Sequence, residues 1–273
     1  MIGIRQAAVC GAFLGLSLSS AWAADIQGYP LSSKDGSGGY WVVTIGGYIA
    51  TEPQYPGSND NTAAFRPIVD IRRAGDREWI NLPNDASNLT LVEGANWRAG
   101  VAADYINDRT HEDAARGLHD INYTVELGGF AEYYPAPFLR TRLELLQGVT
   151  GAEGLALNLA ADAIFRPQAQ WLFTVGPRLK FVNTQYQSTF FSVDQIEAAR
   201  SGLTPYEASG GFNSFGVDAT ARYYVNERFS LRVFAEWDRL ASDAADSPIV
   251  RLRGSEDQWQ AGVGASYTFH YAR

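Results

Sequence analysis

Gln258-Trp259-Gln260-Ala261-Gly262-Val263-Gly264-Ala265-Ser266-Tyr267-Thr268-Phe269 holds two interleaved sets of side chains. Trp259, Ala261, Val263, Ala265, Tyr267 and Phe269 share one face of an extended strand, and the glutamines, glycines, Ser266 and Thr268 share the other, because successive side chains alternate. One face suits hydrocarbon and the other suits water. Aromatics close both ends of the apolar face, and about 9 to 11 residues cross a bilayer at a tilt of roughly 45°. The stretch therefore predicts a transmembrane β-strand.

The pattern recurs along the chain, which gives twelve expected strands: 40–50, 63–73, 76–82, 89–94, 96–106, 121–133, 138–149, 154–165, 171–182, 214–225, 228–240 and 258–269. Phe215, Val217, Ala219, Ala221 and Tyr223 oppose Asp218, Thr220 and Arg222, and Phe229, Leu231, Val233, Ala235 and Trp237 oppose Ser230, Arg232, Glu236 and Asp238. Only Asn226-Glu227 separates those two runs, a hairpin-sized turn. Aromatic pairs such as Trp97 with Tyr105, Trp171 with Phe181 and Trp259 with Phe269 bracket apolar bands roughly 20 to 25 Å tall. The expected fold is all-β, a single antiparallel transmembrane β-barrel of about 12 strands.

Loop lengths support the same reading. The connections 74–75, 95, 134–137, 166–170 and 226–227 are short, whereas 51–62, 107–120, 183–213 and 241–257 are long and share the opposite parity, as does the shorter 83–88. Barrels place short turns on the periplasmic side and longer loops outside. The outward loops are strongly acidic, which suits solvated loops and also carboxylates meeting lipopolysaccharide phosphates through divalent cations.

Arg5, the apolar run from Ala7 to Leu18 and the small-residue site Ala21-Trp22-Ala23 predict a signal peptide over 1–23. Residues 24–39 then form a periplasmic N-terminal segment, and 40–273 the outer-membrane barrel. Cys10 leaves with the leader, so no disulfide is available to the rest. With 30 acids against 22 bases the chain is not built for nucleic acid.

The inner faces of the expected strands carry the chemistry. They hold the bases Arg66, Arg72, Arg98, Arg140, Arg142, Arg178, Lys180, Arg222, Arg228 and Arg232, and the acids Asp70, Asp104, Glu126, Glu132, Glu144, Asp162, Asp218, Glu236 and Asp238. Arg98, Glu126, Arg140, Arg142, Glu144, Asp162, Arg178, Lys180, Asp218, Arg222, Arg232 and Glu236 are the lumen-facing candidates. Charges of both signs on one face either pair and fill the barrel or line a narrow polar channel. Arg222 and Arg232 are expected to pair with Asp218, Glu236 or Asp238. The three histidines, His111, His119 and His270, stand outside the strands, and no zinc spacing, calcium loop, phosphate loop or marked nucleophile appears. No catalytic, cofactor or metal site is expected, and the chain reads as non-enzymatic.

Several segments together resemble the MipA/OmpV family: Phe190-Phe191-Ser192-Val193, Gly202-Leu203-Thr204-Pro205-Tyr206, Asp243-Ala244-Ala245-Asp246-Ser247-Pro248-Ile249-Val250 after Leu240, Gly254-Ser255 with Gln258, and Tyr267-Thr268-Phe269. Tyr55-Pro56-Gly57-Ser58 and Arg66-Pro67 fit the same family near the start. The resemblance implies a Gram-negative outer-membrane protein in contact with outer-membrane lipid and lipopolysaccharide. It also implies a scaffold role in murein (peptidoglycan) remodelling, with a lytic transglycosylase and a murein synthase as periplasmic partners. One departure is that His270-Tyr271-Ala272-Arg273 follow Phe269, where such barrels usually end on an aromatic.

Overall fold

The computed structural model describes residues 41–73, 78–110 and 116–271. The expected leader over 1–23 and the expected periplasmic segment 24–39 lie outside the described residues, as does His111. Eleven strands follow one another: β1 (Trp41–Pro53), β2 (Asn61–Arg73), β3 (Ser87–Glu93), β4 (Trp97–Ile106), β5 (Thr124–Ala136), β6 (Leu139–Gly148), β7 (Leu155–Phe165), β8 (Trp171–Val182), β9 (Gly211–Tyr224), β10 (Phe229–Leu240) and β11 (Asp257–Tyr271). They form one antiparallel sheet in the order β2-β1-β11-β10-β9-β8-β7-β6-β5-β4-β3. The sheet curls into a single antiparallel β-barrel, as the alternation predicts.

The decisive strand behaves as its pattern requires. Trp259 and Val263 are 58% and 59% exposed, whereas Ser266 is 3% exposed. Aromatic belts form at both ends of the barrel. Trp171 packs on Tyr223 with centroids 4.7 Å apart at one end, and Tyr105 stacks on Tyr123 at 5.4 Å at the other. These rings are amphipathic, which places them at the two lipid–water boundaries.

One expected strand is absent. Residues 78–82 are not part of any ladder, and 83–86, expected as an outward loop, do not lie outside either. Segment 78–86 instead runs inside the barrel, with Ile80, Leu82 and Ala86 buried. The reading failed because seven residues are too few to span a bilayer. In addition, Glu78 shares a face with Ile80 and Leu82, so neither face is uniformly apolar.

Losing that strand changes how the barrel closes. Ten antiparallel ladders join the eleven strands, so β2 and β3 run in the same direction. No ladder joins them, and a seam separates their edges. Pro67, which has no N–H to offer, sits on the edge strand β2, where it removes no ladder bond on the seam side. Unpaired backbone at membrane depth is tolerated where it lines a polar cavity, and the seam opens onto one.

Orientation follows from the loops. Connections 107–123, 183–210 and 241–256 leave one end, while 94–96, 137–138, 166–170 and 225–228 turn at the other. Cysteines introduced at Asn61 and Asp246 are expected to react with an impermeant thiol reagent on intact cells, and cysteines at Asn226 or Glu227 to stay protected. The opposite labelling pattern would invert the barrel.

Candidate functional site

The inner surface carries one alternating chain of charge. Asp218 on β9, Arg178 on β8, Asp162 on β7, Arg140 on β6, Glu132 on β5 and Arg98 on β4 touch in sequence. The contacts measure 3.3 Å, 2.7 Å, 2.7 Å, 3.0 Å and 3.0 Å. Each step crosses to the neighbouring strand, so acid and base alternate around the wall. Arg98 grips Glu132 through two bonds, both 3.0 Å, and Arg142 reaches Glu132 at 3.1 Å and Glu144 at 2.7 Å. Arg140, Asp162 and Asp218 are fully shielded. Charges so buried are stable only when paired and hydrogen-bonded, and Tyr134 adds a bond from its hydroxyl to Glu132 at 2.9 Å.

Segment 78–86 docks onto this wall as a plug. Leu82-Pro83-Asn84-Asp85 is a turn with proline second, where its fixed φ fits. The Asp85 amide donates to the Leu82 carbonyl at 3.2 Å, and Asp85 Oδ2 accepts from the Leu82 amide at 2.8 Å. The same carboxylate binds the guanidinium of Arg140. Glu78 accepts from Arg222 at 2.9 Å, Asn81 accepts from Arg98 at 2.8 Å, and the Ala86 amide donates to Glu144 at 3.1 Å. Between these anchors Ile80 and Leu82 pack on Tyr134, Ile164, Leu172 and Tyr224. The plug fills the end of the lumen that faces the short turns.

The other mouth is roofed. Helices α1 (Thr184–Phe191) and α2 (Gln195–Ser201) come from the β8–β9 loop, and α3 (Ser242–Asp246) and α4 (Pro248–Arg253) from the β10–β11 loop. Caps define them: the Asn183 side chain accepts from the Tyr186 amide, Asp194 and Glu197 form a reciprocal box, and Gly202 ends α2 at φ 75°. Phe190, Phe191, Leu240, Ala244 and Val250 pack with Ile121 and Val182. Tyr55, Leu118, Val193, Leu203 and Ile249 form a second cluster.

Most of the segments that carry the family resemblance meet in this roof, whereas Arg66-Pro67 on β2 and Tyr267-Thr268-Phe269 on β11 lie outside it. Gln258 accepts from the Gly57 amide at 3.0 Å, Ser247 donates to the Phe191 carbonyl at 2.6 Å, and Tyr206 donates to the Asp243 carbonyl at 3.0 Å. Gly57, at φ 92°, admits no larger residue, since a Cβ there would stand 2.8 Å from Val250.

His119, in the roof, places Nδ1 2.5 Å from Glu197. Burial pushes the Glu197 carboxyl up, but the backbone amides of His119 and Asp194 and the His119 ring more than offset it, so its pKa lies below the ordinary value. A depressed carboxylate contributes stability above its unfolded pKa and loses it as pH falls through the folded value. Hydrogen exchange at the start of α2 is therefore expected to accelerate in acid below the ordinary glutamate range. Glu197→Gln is expected to flatten that pH dependence, and an unchanged profile would remove Glu197 from the account.

The remaining candidates stand apart from the main network. Lys180 donates to Tyr186 of α1 at 2.8 Å. Glu126 is buried with Oε1 unpartnered, and Glu236, opposite Asp218 in the ladder, has Oε2 unpartnered. The expected pairing of Arg222 and Arg232 with Asp218, Glu236 or Asp238 does not occur. Arg222 binds Glu78 of the plug, Asp218 binds Arg178, and Arg232 donates to the Tyr48 hydroxyl at 3.1 Å. The strand pattern placed the residues on one face but held no information about a segment threaded inside. Glu78, Asn81 and Asp85 were missed for that reason, although the Pro-Asn-Asp turn after Leu82 was a signal against an uninterrupted strand and outer loop.

Known proteins resemble this chain over most of its length. A family model described as MltA-interacting protein MipA matches residues 45–269. Outer membrane protein Omp26La of Vibrio anguillarum is 30% identical over 246 residues, covering 85% of this chain and 87% of that protein. Outer membrane protein OmpV of Vibrio cholerae is 31% identical over 91 residues, 33% of this chain and 34% of its own. Among solved structures, an outer membrane channel from Pseudomonas putida F1 aligns over 88% of this chain and 99% of its own, with 9% identity and a TM-score of 0.42.

Proposed function

The chain belongs to the MltA-interacting protein (MipA) family and is an outer-membrane β-barrel protein; from that premise we propose that it is a closed, non-enzymatic scaffold for murein-remodelling enzymes. The observation that carries this reading is a lumen obstructed at both ends. The plug toward one end and the roof at the other stand across the path that a solute would take, with the ion-pair wall and its cavities between them. A barrel that neither conducts nor holds a reactive constellation offers its surfaces. The belt of aromatics and aliphatics meets outer-membrane lipid and lipopolysaccharide. The periplasmic rim, with Asn96, Phe138, Arg166 and Arg228 on its turns, meets proteins.

The family description, MltA-interacting protein, supports a lytic transglycosylase as the partner class, and the proposal adds a murein synthase held beside it. A stable interface buries about 800 Å² per partner, more than four short turns supply, so residues 24–39 take part in this reading. A photo-reactive amino acid at Asn226 or Phe138, irradiated in intact envelopes, is expected to capture a murein hydrolase or synthase. The same probe at Asp246, on the opposite end, is expected to capture neither. Equal capture at both ends, or none at the periplasmic turns, would overturn the scaffold assignment.

A further inference from the structure

The seam between β2 and β3 opens onto a cavity of about 940 Å³, near the top of the range for ligand sites, roughly 300 to 1,000 Å³. Val69 and Ile71 on β2 and Leu89 and Leu91 on β3 give its rim an apolar lipid side, all more than 60% exposed, while Asp70, Arg72, Asn88 and Glu93 make the lumen side polar. Its floor holds Arg232, which is only 6% exposed.

Arg232 differs from its neighbours in its pairing. The other inner-face arginines of the strands each reach a carboxylate: Arg66 with Glu52, Arg72 with Asp70, Arg98 with Glu132, Arg140 and Arg178 with Asp162, Arg142 with Glu144 and Arg222 with Glu78. Among the described residues Arg232 has a single protein hydrogen bond, to Tyr48, and its Nε has none. It also stands directly opposite Arg222 in the ladder, a second cation. Glu78, the carboxylate nearest in effect, is taken by Arg222, so Arg232 is a buried guanidinium beside a like charge with no carboxylate in contact, a site able to take an anion.

The backbone is shaped to turn that guanidinium toward the seam. Between Arg232 on β10 and Tyr48 on β1 stands Gly264 of β11, where a Cβ would lie 2.5 Å from the Tyr48 ring. The missing side chain lets the arginine reach across β11 to Tyr48, beside Ile68 of β2. Charge and apolar surface then lie in line from lumen to bilayer.

We propose that this cavity binds a long-chain fatty acid entering sideways from the bilayer, its carboxylate on Arg232 and its alkyl chain in the seam between β2 and β3. The site is independent of the scaffold reading, since a barrel closed to ions can still take a lipid from its side.

The test uses the full-length protein in phosphatidylcholine nanodiscs, with cis-parinarate fluorescence as the probe. Oleate is expected to displace the probe, and oleyl alcohol, with the same chain and no charge, to be at least about tenfold weaker, as loss of a charged hydrogen bond requires. Butyrate, with the charge and almost no chain, is expected to fail. Arg232→Met should weaken oleate about tenfold and Arg232→Lys much less. Oleyl alcohol or butyrate competing as well as oleate, or Arg232→Met binding oleate as the unaltered barrel does, would overturn the site. The three competitors decide the matter on unaltered protein even if Arg232→Met does not assemble.

Discussion

Arg140→Met is expected to lower the stability of the folded barrel by about 3 to 5 kcal/mol, the cost of leaving a buried carboxylate without its cation. Arg140 is fully buried and contacts Asp85, Glu132 and Asp162. Glu132 keeps Arg98 and Arg142, and Asp162 keeps Arg178. Asp85 keeps only Arg142, at 3.7 Å, so most of the loss falls on the plug. Asp85→Asn in the same chain is therefore expected to recover part of the stability, giving a double variant less damaged than Arg140→Met alone. Urea unfolding followed by the heat-modifiable shift on gels reads the cycle. Arg251 and Asp246, an exposed pair at 3.6 Å, supply the contrast. Their separation is expected to cost about 0 to 1 kcal/mol. Additive, small effects at Arg140 and Asp85 would mean that water, and not a plug, surrounds them.

The second large effect concerns β11, where the inner face is less permissive than its glycines suggest. Val263→Arg sets a charge near the middle of the lipid face and is expected to cost about 2 to 4 kcal/mol. Gly264→Arg points inward, and alternation alone predicts that it is tolerated. The structure reverses that expectation, because the Tyr48 ring already occupies the space where a Cβ at 264 would stand. Both substitutions are expected to impair assembly. Gln260→Arg, also inward but opposite Glu236 and lining a cavity with Asp238, is expected to assemble normally. Equal tolerance at 260 and 264 would contradict the packing of Tyr48 across β11.

These two experiments mark what the sequence made legible. The period of two along β4 to β11 placed Arg98, Glu132, Arg140, Asp162, Arg178 and Asp218 on one face. Side-chain direction in a strand is a local property, so a single strand suffices to read it. Contacts within the lumen are not local. Whether Arg222 meets Asp218 or Glu78 depends on a segment that is far away in sequence and enters the barrel from one end. The reading of 76–82 as a strand hid that segment, and with it the odd strand count and the seam. The family-like blocks around Tyr55, Phe190 and Asp243 fall in three separate connections, and nothing local in them showed that they interlock as a roof. The space above Gly264 was likewise invisible, since alternation reports which way a side chain points and not what already stands there.

Planar-bilayer conductance of the purified full-length protein decides whether the lumen is closed. The plug, the ion-pair wall and the roof predict no steady open level for the unaltered barrel, and open events after Asp85→Asn and Glu78→Gln together release the plug from Arg140 and Arg222. A steady, ion-conducting level from the unaltered protein would contradict the closed scaffold and make the charged lumen a channel.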